Sequence, residues 1–150
     1  MRRALDVAGA DLDPYRPVLK RLLDHAVAHG VDWEHGGIYR DGLRADGKVL
    51  VTEKEFWQHA EVLVGFLDGY EVFKDPLYLK AFEAVWEFVQ EHMILSEVGE
   101  WRTLVDREGR PLDSNIGNPW KVSYHTGRSM LECEQRLGRL CATAGLPSHP

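Results

Sequence analysis

Two cysteines, three methionines and no long apolar run are what this 150-residue sequence has least of, and each scarcity closes off a class of protein. No uninterrupted apolar stretch approaches the roughly 18 residues needed to cross a bilayer, which argues against a membrane protein. Met1-Arg2-Arg3 is a basic start, but no apolar core of signal-peptide length follows it. Lys and Arg number 18 against 24 Asp and Glu, a formal charge of −6. That balance, and the lack of a basic cluster interleaved with aromatics, argues against nucleic acid or an anionic membrane as partner. Cys133 and Cys141 stand eight apart on one expected helix. At about 1.5 Å of rise per residue their backbones are roughly 12 Å apart, too far for a disulfide. They read as buried thiols in a reducing cytoplasm. There is no GxSxG elbow, no Ser–His–Asp arrangement and no glycine loop of the phosphate-binding kind.

What is present is a repeat. At an offset of about 63 residues, Tyr15 matches Tyr78, His29 matches His92, Glu34 and Gly36 match Glu97 and Gly99, Trp57 matches Trp120 and Glu71 matches Glu134. Tyr39 and Trp101 follow the matched turns, and Asp46-Gly47 has a loose counterpart in Asp106 to Gly109. A repeat of this length built from helix, turn and helix predicts an α/α solenoid or toroid. The apolar content of 44% suits one globular domain over 1–150, with repeat units at about 14–74 and 76–144 and a flexible lead over 1–12.

Four main helices follow from the punctuation. Asp13-Pro14 and Asp75-Pro76 each set an N-cap before a proline at the first helical position. Tyr15, Leu19, Leu22, Leu23 and Ala26 form an apolar stripe on the first helix, and Tyr78, Phe82, Val85, Trp86 and Val89 repeat it on the third. Thr52-Glu53-Lys54-Glu55 has capping-box spacing and opens a second, more enclosed helix to about Phe73. The fourth runs from about Lys121 through Met130, Leu131, Leu137, Leu140 and Cys141 to a stop at Gly145-Leu146-Pro147. The long segments between the helices of each pair carry short β-hairpins and are expected to line a functional surface.

Chemistry concentrates at the entrances of the second and fourth helices. Read as helix, Lys121, His125 and Arg128 fall at i, i+4 and i+7 on one face. The two cations disfavour a protonated imidazole, leaving His125 in the form a base requires. Trp120 is a flat plate of the kind on which a sugar ring stacks. Trp57 and Glu61 lie one turn apart, offering a plate beside a hydroxyl acceptor, and so apolar a stretch makes an unpartnered Glu61 costly. The plainer alternatives are a capping His125, an Arg128 paired with Glu132, and a core Trp57. His25 and His29, at i and i+4, have metal-ligand spacing, but no third ligand is evident, so no metal is expected.

Three motifs now stand in order: Lys54-Glu55-Phe56-Trp57-Gln58-His59-Ala60-Glu61, then Gly99-Glu100-Trp101 followed by Val105-Asp106 and Gly109, then Pro119-Trp120-Lys121-x-x-Tyr124-His125-x-x-Arg128. Together they resemble the C-terminal part of the N-acylglucosamine 2-epimerase family, most closely its cellobiose or mannobiose 2-epimerase branch, from about His25 to Leu140. The resemblance implies an all-α chain forming part of an (α/α)6 barrel, about two helical hairpins with short β-hairpin loops. It implies that His125 is one of two catalytic histidines and that Trp57, Trp120, Glu61 and Arg128 line the sugar site. Phe56, where the family often carries Trp, and His59, where the disaccharide branch often carries Gln, depart from the pattern. The implied reaction is removal of the C2 proton of a mono- or disaccharide's open reducing end, a cis-enediolate, and reprotonation from the other face, with no cofactor. Aldose–ketose isomerisation and non-catalytic carbohydrate binding are the alternatives. Six hairpins at this offset need roughly 380 residues. The chain is therefore expected to be incomplete alone, with an apolar open face and a second chain or self-association completing the barrel.

Overall fold

The computed structural model describes residues 2–42, 49–113 and 115–144. Asp46-Gly47 and the helix stop at Gly145-Leu146-Pro147 lie outside them. The chain begins with α1 (Arg2–Ala8), a 3-10 turn (Asp13–Tyr15) and α2 (Arg16–His25), which runs into a π-turn at Ala26–Gly30. Strands β1 (Asp41–Gly42), β2 (Val49–Val51) and β3 (Lys54–Glu55) lead into α3 (Phe56–Phe73). Then come α4 (Pro76–Phe88), a second π-turn (Val89–Met93), β4 (Ile94–Leu95), β5 (Glu100–Trp101), β6 (Leu104–Val105) and α5 (Tyr124–Thr143).

The 63-residue offset relates backbone as well as sequence. It carries the first π-turn onto the second, and the Val31–Ile38 bridge onto the Ile94–Trp101 pair of β4 and β5. The molecule is thus two helical hairpins side by side, the partial α/α arrangement expected. A two-residue antiparallel ladder joins them, Lys54 opposite Val105 and Glu55 opposite Leu104.

α3 is the hub, packed against α4 on one side and α5 on another. Ala60, Leu63, Phe66 and Leu67 of α3 are fully enclosed, together with Ala81, Val85 and Val89 from the neighbouring hairpin arm. Each large apolar side chain so buried contributes about 1.5–3 kcal/mol, so this seam holds the fold. Cys133 of α5 is buried in the same cluster, and burial pushes its thiol up to about 11.

Several local expectations are corrected. Asp75 caps α4, its carboxylate accepting from the Leu77 amide at 2.9 Å, whereas Asp13-Pro14 sits inside a 3-10 turn and α2 opens at Arg16. The Thr52–Glu55 capping box does not form, because Lys54 and Glu55 are strand and Glu55 makes no side-chain cap. Lys54 is wholly buried instead, donating to the carbonyls of Gly36 at 2.6 Å and Arg107 at 2.8 Å, with Asp32 3.3 Å away. α5 opens at Tyr124 rather than Lys121. Residues 118–121 form a turn in which Asn118 Oδ1 accepts from the Trp120 and Lys121 amides. Before the first repeat unit, α1 spans Arg2–Ala8, and Arg2 pairs with Asp68 and Glu71 of α3. Leu22 and Leu131, assigned to apolar stripes, are exposed.

Candidate active site

The inter-hairpin ladder fixes where α3 begins. The Phe56 amide donates to the Thr103 carbonyl of the second hairpin at 3.1 Å, which sets the entrance of α3 beside that of α5. From there Trp57, Glu61 and Asp68 fall on the face of α3 toward α5, at helical spacing. His125 and Arg128 come from the first turns of α5 and meet them.

The centre of the cluster is Glu61. One carboxylate oxygen lies 2.8 Å from His125 Nδ1, and the other accepts from the Arg128 guanidinium. Burial alone would raise this carboxyl, but the hydrogen bonds from Arg128 and His125 outweigh it and hold Glu61 below its ordinary value. Because a carboxylate only accepts, Nδ1 carries the proton, and in the neutral ring the Nε2 lone pair has no partner among the described residues. The imidazole is framed by aromatics. The Trp57 ring lies 5.9 Å away, Tyr124 5.2 Å edge-on and Phe56 6.4 Å edge-on. The side chain of His125 keeps 31% of its exposure, so the ring is walled but reachable.

Of the five residues expected at the site, four converge: Trp57, Glu61, His125 and Arg128. Trp120 stands apart, 88% exposed in the turn before α5, and among the described residues no ring contact joins it to His125. Trp57 is exposed at 39% and so is no core residue. Lys121 is not the cation expected beside the imidazole. Its ammonium donates to the Trp101 and Ile116 carbonyls, sits 3.3 Å from Glu100 and lies over the Phe56 ring. The neighbour touching His125 is a carboxylate, not a pair of cations.

Sequence reasoning did not find the Glu61–His125 bond or the walls made by Phe56 and Tyr124. The repeat held the only signal, since 63 residues separate Glu61 from Tyr124 and bring the two helix entrances into register. Below Glu61 the seam continues as a charged ladder, with the buried Arg136 bridging Asp68, Glu71 and Glu132. A cleft of about 160 Å³ opens there, lined in part by Glu61, Gly65, Arg128 and Glu132.

The other histidines resolve differently. His59 is fully buried, its Nε2 accepting from the Ile38 amide at 3.0 Å and its Nδ1 donating to the Glu55 carbonyl at 2.8 Å. Burial drives its value down to about 4. Gly37 approaches it so closely, at φ +69°, that a Cβ there would stand 2.8 Å from Nε2. The rings of His25 and His29 lie 4.8 Å apart, and among the described residues no three His, Cys, Asp or Glu side chains gather as a metal centre.

The motifs that build this cluster are those of a known family: the model of N-acylglucosamine 2-epimerase (GlcNAc 2-epimerase) matches residues 16–129. The chain belongs to the N-acylglucosamine 2-epimerase family. Mouse (Mus musculus) N-acylglucosamine 2-epimerase is 35% identical over 115 residues, covering 74% of this chain and 27% of the relative. A crystal structure of D-mannose isomerase superposes with a TM-score of 0.79 at 30% identity, over 88% of this chain and 33% of that one. Cellobiose 2-epimerase from Spirochaeta thermophila DSM 6192 gives a TM-score of 0.67 at 35% identity, over 86% and 31%. These solved structures are of the (α/α)6 barrel fold. The chain thus spans about a third of the length of its relatives.

Proposed function

We propose that this chain is a sugar 2-epimerase-type polypeptide, with His125 as one of its two proton-transfer groups, acting on an aldose or the reducing end of a β-linked disaccharide. The single observation that carries the reading is the Glu61–His125 bond, which leaves Nε2 open beside Trp57. In the ring-opened sugar the C2–H bond lies next to the aldehyde. Nε2 takes that proton, the C–H electron pair becomes the C1–C2 double bond of a cis-enediolate, and the negative charge moves to O1. Glu61, already accepting from Nδ1, steadies the imidazolium that forms, and Arg128 holds Glu61 in place. A second acid on the opposite face returns a proton to C2 and inverts it. Trp57 offers a stacking wall, and Trp120 a second plate at the rim. The second acid is expected from hairpins outside this chain, so one chain alone is a poor catalyst.

The likeness to D-mannose isomerase favours one further reading, in which the same enediolate is reprotonated at C1 to give a ketose. The test is NMR of cellobiose or mannose in D2O with the purified chain. C2–H exchange is expected to be slow for the isolated chain and to vanish in His125→Gln. Exchange at the rate of a complete enzyme would overturn the incompleteness. A 2-epimer product supports the leading reading and a ketose the second. Sugar-dependent tryptophan fluorescence with no exchange in any assembly state would leave a carbohydrate-binding module instead.

A further inference from the structure

Lys54 and Lys121 stand just ahead of α3 and α5, and their ammonium groups have the same kinds of neighbour. Lys54 donates to the Gly36 and Arg107 carbonyls, lies 3.3 Å from Asp32 and sits 4.1 Å over the Phe88 ring. Lys121 donates to the Trp101 and Ile116 carbonyls, lies 3.3 Å from Glu100 and sits 5.2 Å over the Phe56 ring. Their side chains keep 0% and 3% of their exposure. Each phenylalanine also meets a histidine. Phe88 stacks on His59 with ring centres 5.8 Å apart, and Phe56 lies edge-on to His125 at 6.4 Å. Lys54, Phe88 and His59 thus form one row, and Lys121, Phe56 and His125 another. The repeat does not produce this likeness, because 67 residues separate the lysines and the 63-residue image of Lys54 is Gly117.

A buried ammonium has three N–H groups to satisfy and a steep cost of leaving water, so it settles where carbonyls and a carboxylate surround it. Once settled, it ties together the pieces that supply them. Lys121 draws in β5 through Trp101, the loop before α5 through Ile116, and α3 through the Phe56 ring, whose face attracts a cation. Phe56 is itself 3% exposed and makes one wall of the His125 imidazole. The place of that wall is therefore set by Lys121 and felt by His125. Without the ammonium, two carbonyls lose their donor and the ring loses the cation over it. Among the described residues Lys121 makes no bond to the imidazole, which it reaches only through the ring.

We propose that Lys121 is a positioning residue for His125, acting through Phe56: it holds the ring that keeps the imidazole between Glu61 and Trp57. The cation expected beside the imidazole is thus a cation one ring removed. In the first row the same arrangement serves a histidine closed inside the core, so Lys54 is a post for the fold alone. In the second row it serves the histidine of the candidate site. The inference rests on the reading of His125 as a proton-transfer group and names a residue on which that group's geometry depends.

The experiment compares Lys121→Met with Lys54→Met in the purified chain, each keeping an apolar stem and losing the ammonium, with folding checked by far-UV circular dichroism. Without sugar, the nuclear Overhauser contact between the Phe56 and His125 rings is expected in the wild type, lost in Lys121→Met and kept in Lys54→Met. With mannose in D2O, Lys121→Met is expected to slow C2–H exchange about 10- to 100-fold at saturating sugar, as a small misplacement of the reacting group does. The half-saturating sugar concentration is expected to change little, since binding is not what is lost. Phe56→Leu leaves the carbonyl bonds of Lys121 in place and is expected to slow exchange as much. The double variant is expected to be no slower than either single one, because both changes act through one ring. A ring contact that survives in folded Lys121→Met, or is lost in both folded lysine variants, overturns the proposal, and so do additive losses in the double variant. Exchange at the wild-type rate in Phe56→Leu overturns it as well, and that arm needs neither lysine variant to fold. A wild type with no exchange removes the proton-transfer reading, while the ring contact still decides what Lys121 holds.

Discussion

His59 on α3 and His125 on α5 show how the place a helix gives an imidazole decides what it can do. Among the described residues His125 has one nitrogen engaged and one without a partner, while both nitrogens of His59 are engaged inside the core. The consequence for His59 is thermodynamic. Its native value lies near 4 against 6.5 for the free side chain, so between those limits the unfolded chain binds a proton that the native one does not. Stability then rises with pH through that window and is fully present above it, with a slope approaching about 1.4 kcal/mol per pH unit. Urea unfolding of the wild type between pH 5 and 6.5 is expected to show that slope, and His59→Gln to flatten it by about one proton. Equal slopes in the two proteins would refute the assignment. The same argument predicts that Glu61, held low by Arg128 and His125, contributes stability above the ordinary carboxylate range that is lost as pH falls through its native value.

Short strands and turns, rather than long helices, decide the geometry of the site. Asp32, buried at the end of the first π-turn, accepts from Arg107 at 2.8 and 3.0 Å and faces Lys54 at 3.3 Å. This clamp ties β3 to the second hairpin just before α3 starts. Asp32→Asn leaves Lys54 buried beside a neutral group and is expected to cost about 3–5 kcal/mol in urea unfolding. A loss under about 1 kcal/mol would show that the clamp is not structural. Nothing in the sequence announces it, because 75 residues separate Asp32 from Arg107 and partner choice at that range is set by the packed fold. The helices and their pairing were legible from apolar periodicity and the common offset. Of the five residues expected at the site, Trp57, Glu61, His125 and Arg128 stand together where the second helix of each hairpin begins, whereas Trp120 stands apart. Two misreadings share one cause: local pattern lost to tertiary burial. Thr52–Glu55 has capping-box spacing, but Lys54 is needed inside, and Lys121 has helical phase with His125, but its ammonium is drawn to the carbonyls of Trp101 and Ile116.

At the level of the whole molecule, stability is unevenly shared. α3 is enclosed by α4 and α5, whereas α1 is attached by side-chain pairs such as Arg2 with Glu71. Hydrogen exchange is expected to be slowest in α3 and fastest in α1, since backbone far from buried apolar contacts opens at little cost. Comparable protection in both would contradict the packing described. The buried cysteine gives that seam a clock. Cys133 lies in the α3–α5 core with its thiol raised to about 11, so an electrophile finds it neither accessible nor ionised until the helices part. Cys141, half-exposed on the same helix, is available throughout. The ratio of their labelling rates therefore times how often the molecule opens along the line that carries Glu61 and His125, with no probe added to it.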